Sequence, residues 1–234
     1  MRSLADQTVA ELGGTWSILN RQKRDHVLLE ELLQQLEATS GAEQDAVLNR
    51  IARLVFPHAF AEESVLWPEL RRVLPDGDAL TLQVEKEHQE VNELWVALEK
   101  ETSPSQRRLL IDRLAAVLRE DVRDEEDVLL PRFQDAVDVR RLRQLGVAWE
   151  AVRRTAPTRP HPVVSRRPPG NALAALPLTV LDRSRDVLDR VAQDGPEQAR
   201  VQASAASRTL ARAAGRVEHW APLRRGERPE THRD

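Results

Sequence analysis

Three histidines, an aspartate and two glutamates recur in this chain at spacings suited to holding metal ions. His58-x-x-x-Glu62 places an imidazole and a carboxylate one helical turn apart, about 40° of rotation from each other. Asp121-x-x-x-Glu125 repeats that spacing 63 residues later, and His26 is echoed by His88 at an offset of 62. The boxes extend beyond these pairs. His58-Ala-Phe-Ala-Glu62-Glu63-Ser-Val-Leu-Trp-Pro68 reappears as Asp121-Val-Arg-Asp-Glu125-Glu126-Asp-Val-Leu-Leu-Pro131. Upstream, Asp25-His26 followed by Leu32, Leu36 and Glu37 reappears as Glu87-His88 followed by Leu94, Leu98 and Glu99. A repeat of this length is one supersecondary unit used twice. Each copy offers a histidine from one helix, and a histidine or aspartate plus a glutamate from the next. Together these six groups could surround a pair of metal ions.

The elements that must position them are helices. Apolar residues recur at steps of three and four nearly throughout, with no run of period two, which predicts an all-α protein. Helices are expected near 16–37, 43–73, 78–101 and 104–134, the second kinked at Pro57 and closed by Pro75-Asp76-Gly77. Short connections between long helices force neighbours antiparallel, giving an up-down-up-down four-helix bundle. A fifth helix over 139–154 completes a first domain, 1–154. Residues 155–171, rich in proline and arginine, read as a solvated linker. Helices over 176–192 and 196–217 make 172–234 a helical C-terminal extension with no role assigned by its residues.

On these helices each candidate interrupts an apolar stripe near its middle. His26 lies in line with Leu19, Leu29, Leu33 and Leu36, and His88 with Val84, Val91, Trp95 and Leu98. His58 and Glu62 share a stripe with Ile51, Val55 and Val65, and Asp121 and Glu125 with Leu110, Leu114, Val117 and Val128. Antiparallel helices bring their middles to one level, so the six groups should meet inside the bundle. Burying three ionised carboxylates there is unfavourable by several kcal/mol unless something compensates. No lysine or arginine lies on those stripes within a turn of the sites. Two divalent cations would compensate, with imidazoles as terminal ligands and glutamates as bridges. Mixed histidine and carboxylate donors suit iron or manganese, and bundle interiors hold di-iron sites of this construction. Glu63 and Glu126, one position round from the stripe, read as solvated. Glu85 stands outside the six, a ligand or acceptor role for it being the lesser option, and Asp25 and Glu87 read as solvent-facing or as orienting their histidine neighbours. His161, His219 and His232 fall outside the constellation.

Composition narrows the chemistry. Zero cysteines among 234 residues remove disulfides, iron–sulfur clusters, thiolate zinc sites and cysteine nucleophiles, so any metal is held by nitrogen and oxygen. Zero tyrosines remove a tyrosinate ligand or tyrosyl radical. A net charge of −3 gives no general attraction to nucleic acid. No apolar run approaches the roughly 20 residues that span a bilayer. The N-terminal segment lacks the apolar core of a signal peptide, and the expectation is a cytoplasmic protein with no membrane partner.

The order His, His-x-x-x-Glu-Glu, Glu-x-x-His, and then a box ending in Glu-Glu-x-x-Leu-Leu-Pro resembles the hemerythrin-like, or HHE cation-binding, family over residues 15–135. The resemblance implies a four-helix bundle around a non-haem di-iron centre. It implies His26, His58, Glu62, His88 and Glu125 as iron ligands, with Glu62 and Glu125 bridging. Asp121 departs from the pattern, standing where the family usually has a histidine. As a ligand it is shorter, harder and anionic; alternatively it leaves a position open to water. The activities implied are dioxygen binding, peroxide decomposition, reaction with nitric oxide, and iron or oxygen sensing. The more hydrophilic, anionic site that Asp121 makes favours redox-linked or oxidative-stress chemistry, as a peroxide- or O2-reactive oxidoreductase, over oxygen carriage. Carriage would need a dry pocket supplied by Trp95 and the leucines. The alternative is an iron- or oxygen-sensing regulatory module whose C-terminal extension acts on a partner or another copy.

Overall fold

Ser17 opens the first long helix: its hydroxyl accepts a hydrogen bond from the Leu19 N–H at 3.3 Å, satisfying one of the free donors of the first turn. Just upstream, Gly13 and Gly14 sit at φ of +89° and +96°, where any side chain would be strained. The computed structural model describes residues 2–231 and contains no strand among them; His232 lies outside the described residues. The long helices are α1 (Ile18–Ala38), α2 (Gly41–Ala61), α4 (Gly77–Lys100) and α5 (Pro104–Asp124). Short helices α3 (Trp67–Val73) and α6 (Leu130–Ala136) continue α2 and α5, and α7 (Val139–Thr155) follows. Helices α8 (Gly170–Asp194) and α9 (Glu197–Glu218) lie in a second compact unit, the chain dividing between Arg154 and Thr155.

The two expected long helices over 43–73 and 104–134 are each interrupted at the candidate site. Glu62–Leu66 and Glu125–Leu129 form single π turns, in which the Trp67 N–H reaches the Glu62 carbonyl and the Leu130 N–H the Glu125 carbonyl. Pro68 and Pro131 follow at once. Each lacks an N–H, and its ring would clash with the carbonyl four residues back in a regular helix, so the turn widens there. Pro57 sits within α2, which runs through it without interruption. A π turn absorbs one extra residue, so the buried face moves by one position beyond it. Val128, expected on the inner stripe, is 47% exposed, while Leu129 and Leu130 are buried. Leu66 likewise replaces Val65 as the buried residue.

Two apolar clusters hold the first unit. Leu29, Leu33 and Leu36 of α1 pack with Ile51 and Phe56 of α2, Val91 and Trp95 of α4, and Leu114 and Leu118 of α5. Ile18 and Leu19 pack with Trp67, Leu70, Phe133 and Trp149, together with Leu4 and Leu12 from the N-terminal segment, which periodicity did not mark as core. The candidate residues lie between the clusters. Each fully buried Leu or Phe contributes about 1.5–3 kcal/mol, so apolar packing on both sides keeps the intervening polar layer inside.

The second unit alters the reading of residues 155–171. They are not a solvated linker: Ala156, Thr158, Arg159, His161 and Val164 are buried. The Thr158 and Arg159 N–H groups and the His161 ring all donate to Asp182 Oδ2 of α8 at 3.0 Å, and Arg159 pairs with Asp186 at 2.9 Å and Asp189 at 2.6 Å. Proline composition predicted an extended path, but carboxylates on α8 give that path fixed partners. The helix itself starts at Gly170, earlier than expected, and contains Pro177.

A Cβ on Gly146 would lie 2.1 Å from the Trp16 carbonyl, so Gly146→Ala should push α7 off the start of α1. The expected loss is about 1–3 kcal/mol in denaturant unfolding followed by tryptophan fluorescence. An unchanged midpoint would show that α7 does not seat there. In the second unit, burial opposes protonation of His161, but Asp182 and Glu218 raise it to about 9 from its ordinary 6.5. A raised pKa stabilises fully below 6.5 and is lost as pH rises through about 9. Unfolding midpoints should therefore fall over that window in the native chain, and less steeply in His161→Asn.

Candidate metal centre

All six sequence candidates come together. His26, His58, Glu62 and Glu125 form one group, and His88, Asp121 and Glu125 a second, each with one donor atom per residue lying within 4.8 Å of the others. Glu125 belongs to both. His26 Nε2 lies 3.2 Å from Glu125 Oε2, and His58 Nε2 lies 3.1 Å from Glu62 Oε1. The other oxygen of Glu62 is 3.6 Å from His88 Nε2, which is itself 3.7 Å from Asp121 Oδ1. Glu62 thus spans from the ring of His58 to that of His88.

Each imidazole turns its Nε2 inward and is held through Nδ1 by a further carboxylate. His26 Nδ1 meets Glu126 at 2.9 Å, His88 Nδ1 meets Glu63 at 3.0 Å, and His58 Nδ1 meets Asp25 at 3.4 Å. Such a carboxylate fixes the tautomer and aims the ring. The two copies of the repeat exchange these partners: Glu126 of the second holds His26 of the first, and Glu63 of the first holds His88 of the second. Asp25–His58 has its counterpart in Glu87, whose carboxyl bonds with Asp121. Glu63 and Glu126 are therefore not solvated, contrary to the reading from helical phase. Glu63 is 1% exposed and Glu126 8%, kept inside at the head of a π turn. The Glu-Glu doublet followed by proline, present in both boxes, is the signal that marks them. Asp25 orients the histidine across from it, not its sequence neighbour. Glu85 lies outside both donor groups and pairs with Arg71, which also donates to Thr81 at 2.8 Å. His161 and His219 lie in the second unit, and His219 bonds the Gly215 carbonyl.

Charge makes the cluster unusual. Seven carboxylates (Asp25, Glu62, Glu63, Glu87, Asp121, Glu125 and Glu126) are buried around three imidazoles. Burial disfavours charged imidazoles, yet Glu125 and Glu126 raise His26 to about 10, Asp121 and Glu63 raise His88 to about 10, and Glu62 and Asp25 raise His58 to about 9. Burial and the nearby Glu125 push the Glu62 carboxyl up and the Asp121 carboxyl well up, while His26 outweighs burial and holds Glu125 down. Even so, both oxygens of Glu62, both of Glu125 and Oδ1 of Asp121 are buried without a well-aligned hydrogen bond. Orphaned carboxylate oxygens facing ring nitrogens are donors arranged for a cation.

A cavity of about 30 Å³ adjoins the cluster, with the three imidazoles and Asp121 on one side and Leu29, Phe56, Val91 and Leu118 on the other. It has room for one small molecule the size of water. Trp95, expected to line such a pocket, stands one layer out, edge-on to Phe56 at 5.3 Å between ring centroids. A wider hollow of about 440 Å³ between α1 and α5 shares His26, Leu29, Leu118 and Val122 with it.

Residues 17–133 match the hemerythrin HHE cation binding domain, half of the chain. The chain belongs to this family. Neither the curated proteins nor the solved structures give a match. Membership in the hemerythrin HHE family and the convergent donors agree on one coarse activity, the binding of metal cations within a helical bundle. No helix among the described residues is long and apolar enough to cross a membrane.

Metal binding should release protons. The three imidazoles hold theirs more tightly than usual, as do Glu62 and Asp121, and a cation displaces them. Affinity should therefore rise with pH. Calorimetric titration of the metal-free protein in buffers of different ionisation enthalpy should give different heats; identical heats would contradict the protonated cluster.

Proposed function

We propose that this is a non-haem di-iron protein that binds or reacts with a small oxidant: dioxygen, peroxide or nitric oxide. His26, His58, Glu62, His88, Asp121 and Glu125 would hold the two ions, and the observation that carries the reading is that Glu125 is common to both donor groups. Glu62, reaching towards His58 with one oxygen and His88 with the other, supports a second carboxylate bridge. Bound iron would supply electron exchange with the small ligand.

The residues divide the remaining work. Glu126, Glu63 and Asp25 aim the three rings, so little reorganisation is needed when metal enters. Leu29, Phe56, Val91 and Leu118 restrict the adjoining space to a molecule of few atoms and limit water. Asp121 sits at the edge of that space, where burial and Glu125 favour a proton on its carboxyl when no cation is present. That polar edge, anionic once a cation displaces the proton, favours redox-linked or oxidative-stress chemistry over reversible carriage. A second reading, an iron- or oxygen-sensing module, draws on α8: Leu173, Leu176, Val180, Val187 and Val191 recur at steps of three, four, seven and four and are exposed. That stripe suits a partner, and an oligomer mass or pull-down that changes with oxidation state would favour sensing; rapid peroxide turnover without such a change favours the oxidoreductase.

The double variant Glu62→Gln with Glu125→Gln tests the ligand set. Iron content should fall from about two per chain to near none, while far-UV helicity persists. Metal-free, the variant should unfold at equal or higher denaturant, since two poorly satisfied buried carboxylates are gone. Retention of iron would show that these glutamates are not ligands.

A further inference from the structure

Resting on the metal reading above, we propose that α7, a helix beyond the matched family domain, is a working part of the centre. Its Trp149 and Arg153 are positioning residues for His58. The family match ends at residue 133, and α7 begins at Val139. The observations converge on one imidazole. Trp149 is fully buried and stands edge-on to the His58 ring, centroids 5.3 Å apart at 84°. Arg153 Nη1 lies 3.7 Å from Asp25 Oδ2, the same oxygen that meets His58 Nδ1. The Arg153 guanidinium also lies over the Trp149 ring at 5.3 Å, so the two residues support each other.

His58 needs this support more than its companions do. Its carboxylate contact, 3.4 Å, is longer than the 2.9 Å of His26 and the 3.0 Å of His88. Asp25 is also drawn elsewhere: Arg24 holds its other oxygen at 2.9 Å, leaving Oδ2 to serve both His58 and Arg153. Glu87, the repeat counterpart of Asp25, is held instead by the neutral Gln83 at 2.7 Å. The α7 clamp is thus an asymmetric addition to a two-fold repeat.

The clamp is itself anchored. Trp149 and Arg153 are one turn apart and face the site, while Glu150 on the adjoining face pairs with Arg21 of α1 at 2.7 Å and with Arg153 at 3.2 Å. Gly146, one turn earlier, lets the helix approach the Trp16 carbonyl. The arrangement fixes both the tilt of the His58 ring, through Trp149, and the position of its Asp25 partner, through Arg153.

The test uses the full chain loaded anaerobically with ferrous iron, and follows iron release to a chelator together with the absorption spectrum after oxidation. Arg153→Gln should release one of the two irons about tenfold faster and alter the spectrum, with Arg153→Lys restoring most of the retention. Arg154→Gln, which breaks another α7 pair with Glu150 and spares the Asp25 contact, should release both irons at the native rate. Native release from both Arg153 variants would overturn the proposal. So would equal acceleration of both irons in the Arg153→Gln and Arg154→Gln proteins, which would mark α7 as a general support. A native protein that takes up no iron, or a Glu62→Gln/Glu125→Gln variant that keeps it, overturns the metal reading itself and this inference with it.

Discussion

An excess of acid held under apolar cover governs the first unit. Seven buried carboxylates face three imidazoles, and leucine-rich packing lies on both sides of that layer. Apolar packing alone would favour turning such groups outward, because desolvating a carboxylate is strongly unfavourable. They stay inside because the clusters on either side register all four long helices at one height, and because protons or cations balance the charge. Stability and metal binding are therefore opposed in the metal-free molecule and aligned once cations enter. Buried charges that lack partners weaken a fold, and the same groups with a cation strengthen it.

Duplication resolves the geometry with few residue types. Each copy brings a histidine, a glutamate ligand candidate and a second glutamate, and the copies exchange the second glutamates across the centre. The exchange depends on two adjacent carboxylates facing inward from one helix, and a π turn in each copy provides it. The prolines that follow make the widened turn the less strained choice. A backbone irregularity and a ligand-orienting contact thus have one cause.

The two-fold pattern is broken in two places. Asp121 takes the repeat position of His58, so one half of the centre has a short carboxylate where the other has an imidazole, and the small cavity adjoins both. The other half is covered by α7, whose Trp149 and Arg153 reach the His58 ring and its Asp25 partner. The two halves are therefore not equivalent. A centre with two unlike halves can offer a small ligand one preferred side.

Much was legible in the chain before folding was considered. The duplicated boxes, the helical period and the absence of cysteine determined an all-helical protein with nitrogen and oxygen donors at the middle of its helices, and all six named residues do meet. Helical phase failed at Glu63 and Glu126 because it assumes a uniform turn of 100° per residue, and both lie where the turn widens. It failed at Val128 for the same reason. Composition failed over residues 155–171, because proline content describes a path and not the carboxylates of Asp182 and Asp186 that receive it. Arg153 and Trp149 lie about a hundred residues from His58 and share no motif with it. Local spacing determines which groups one helix presents together; only the packing of helices remote in sequence decides which groups hold them.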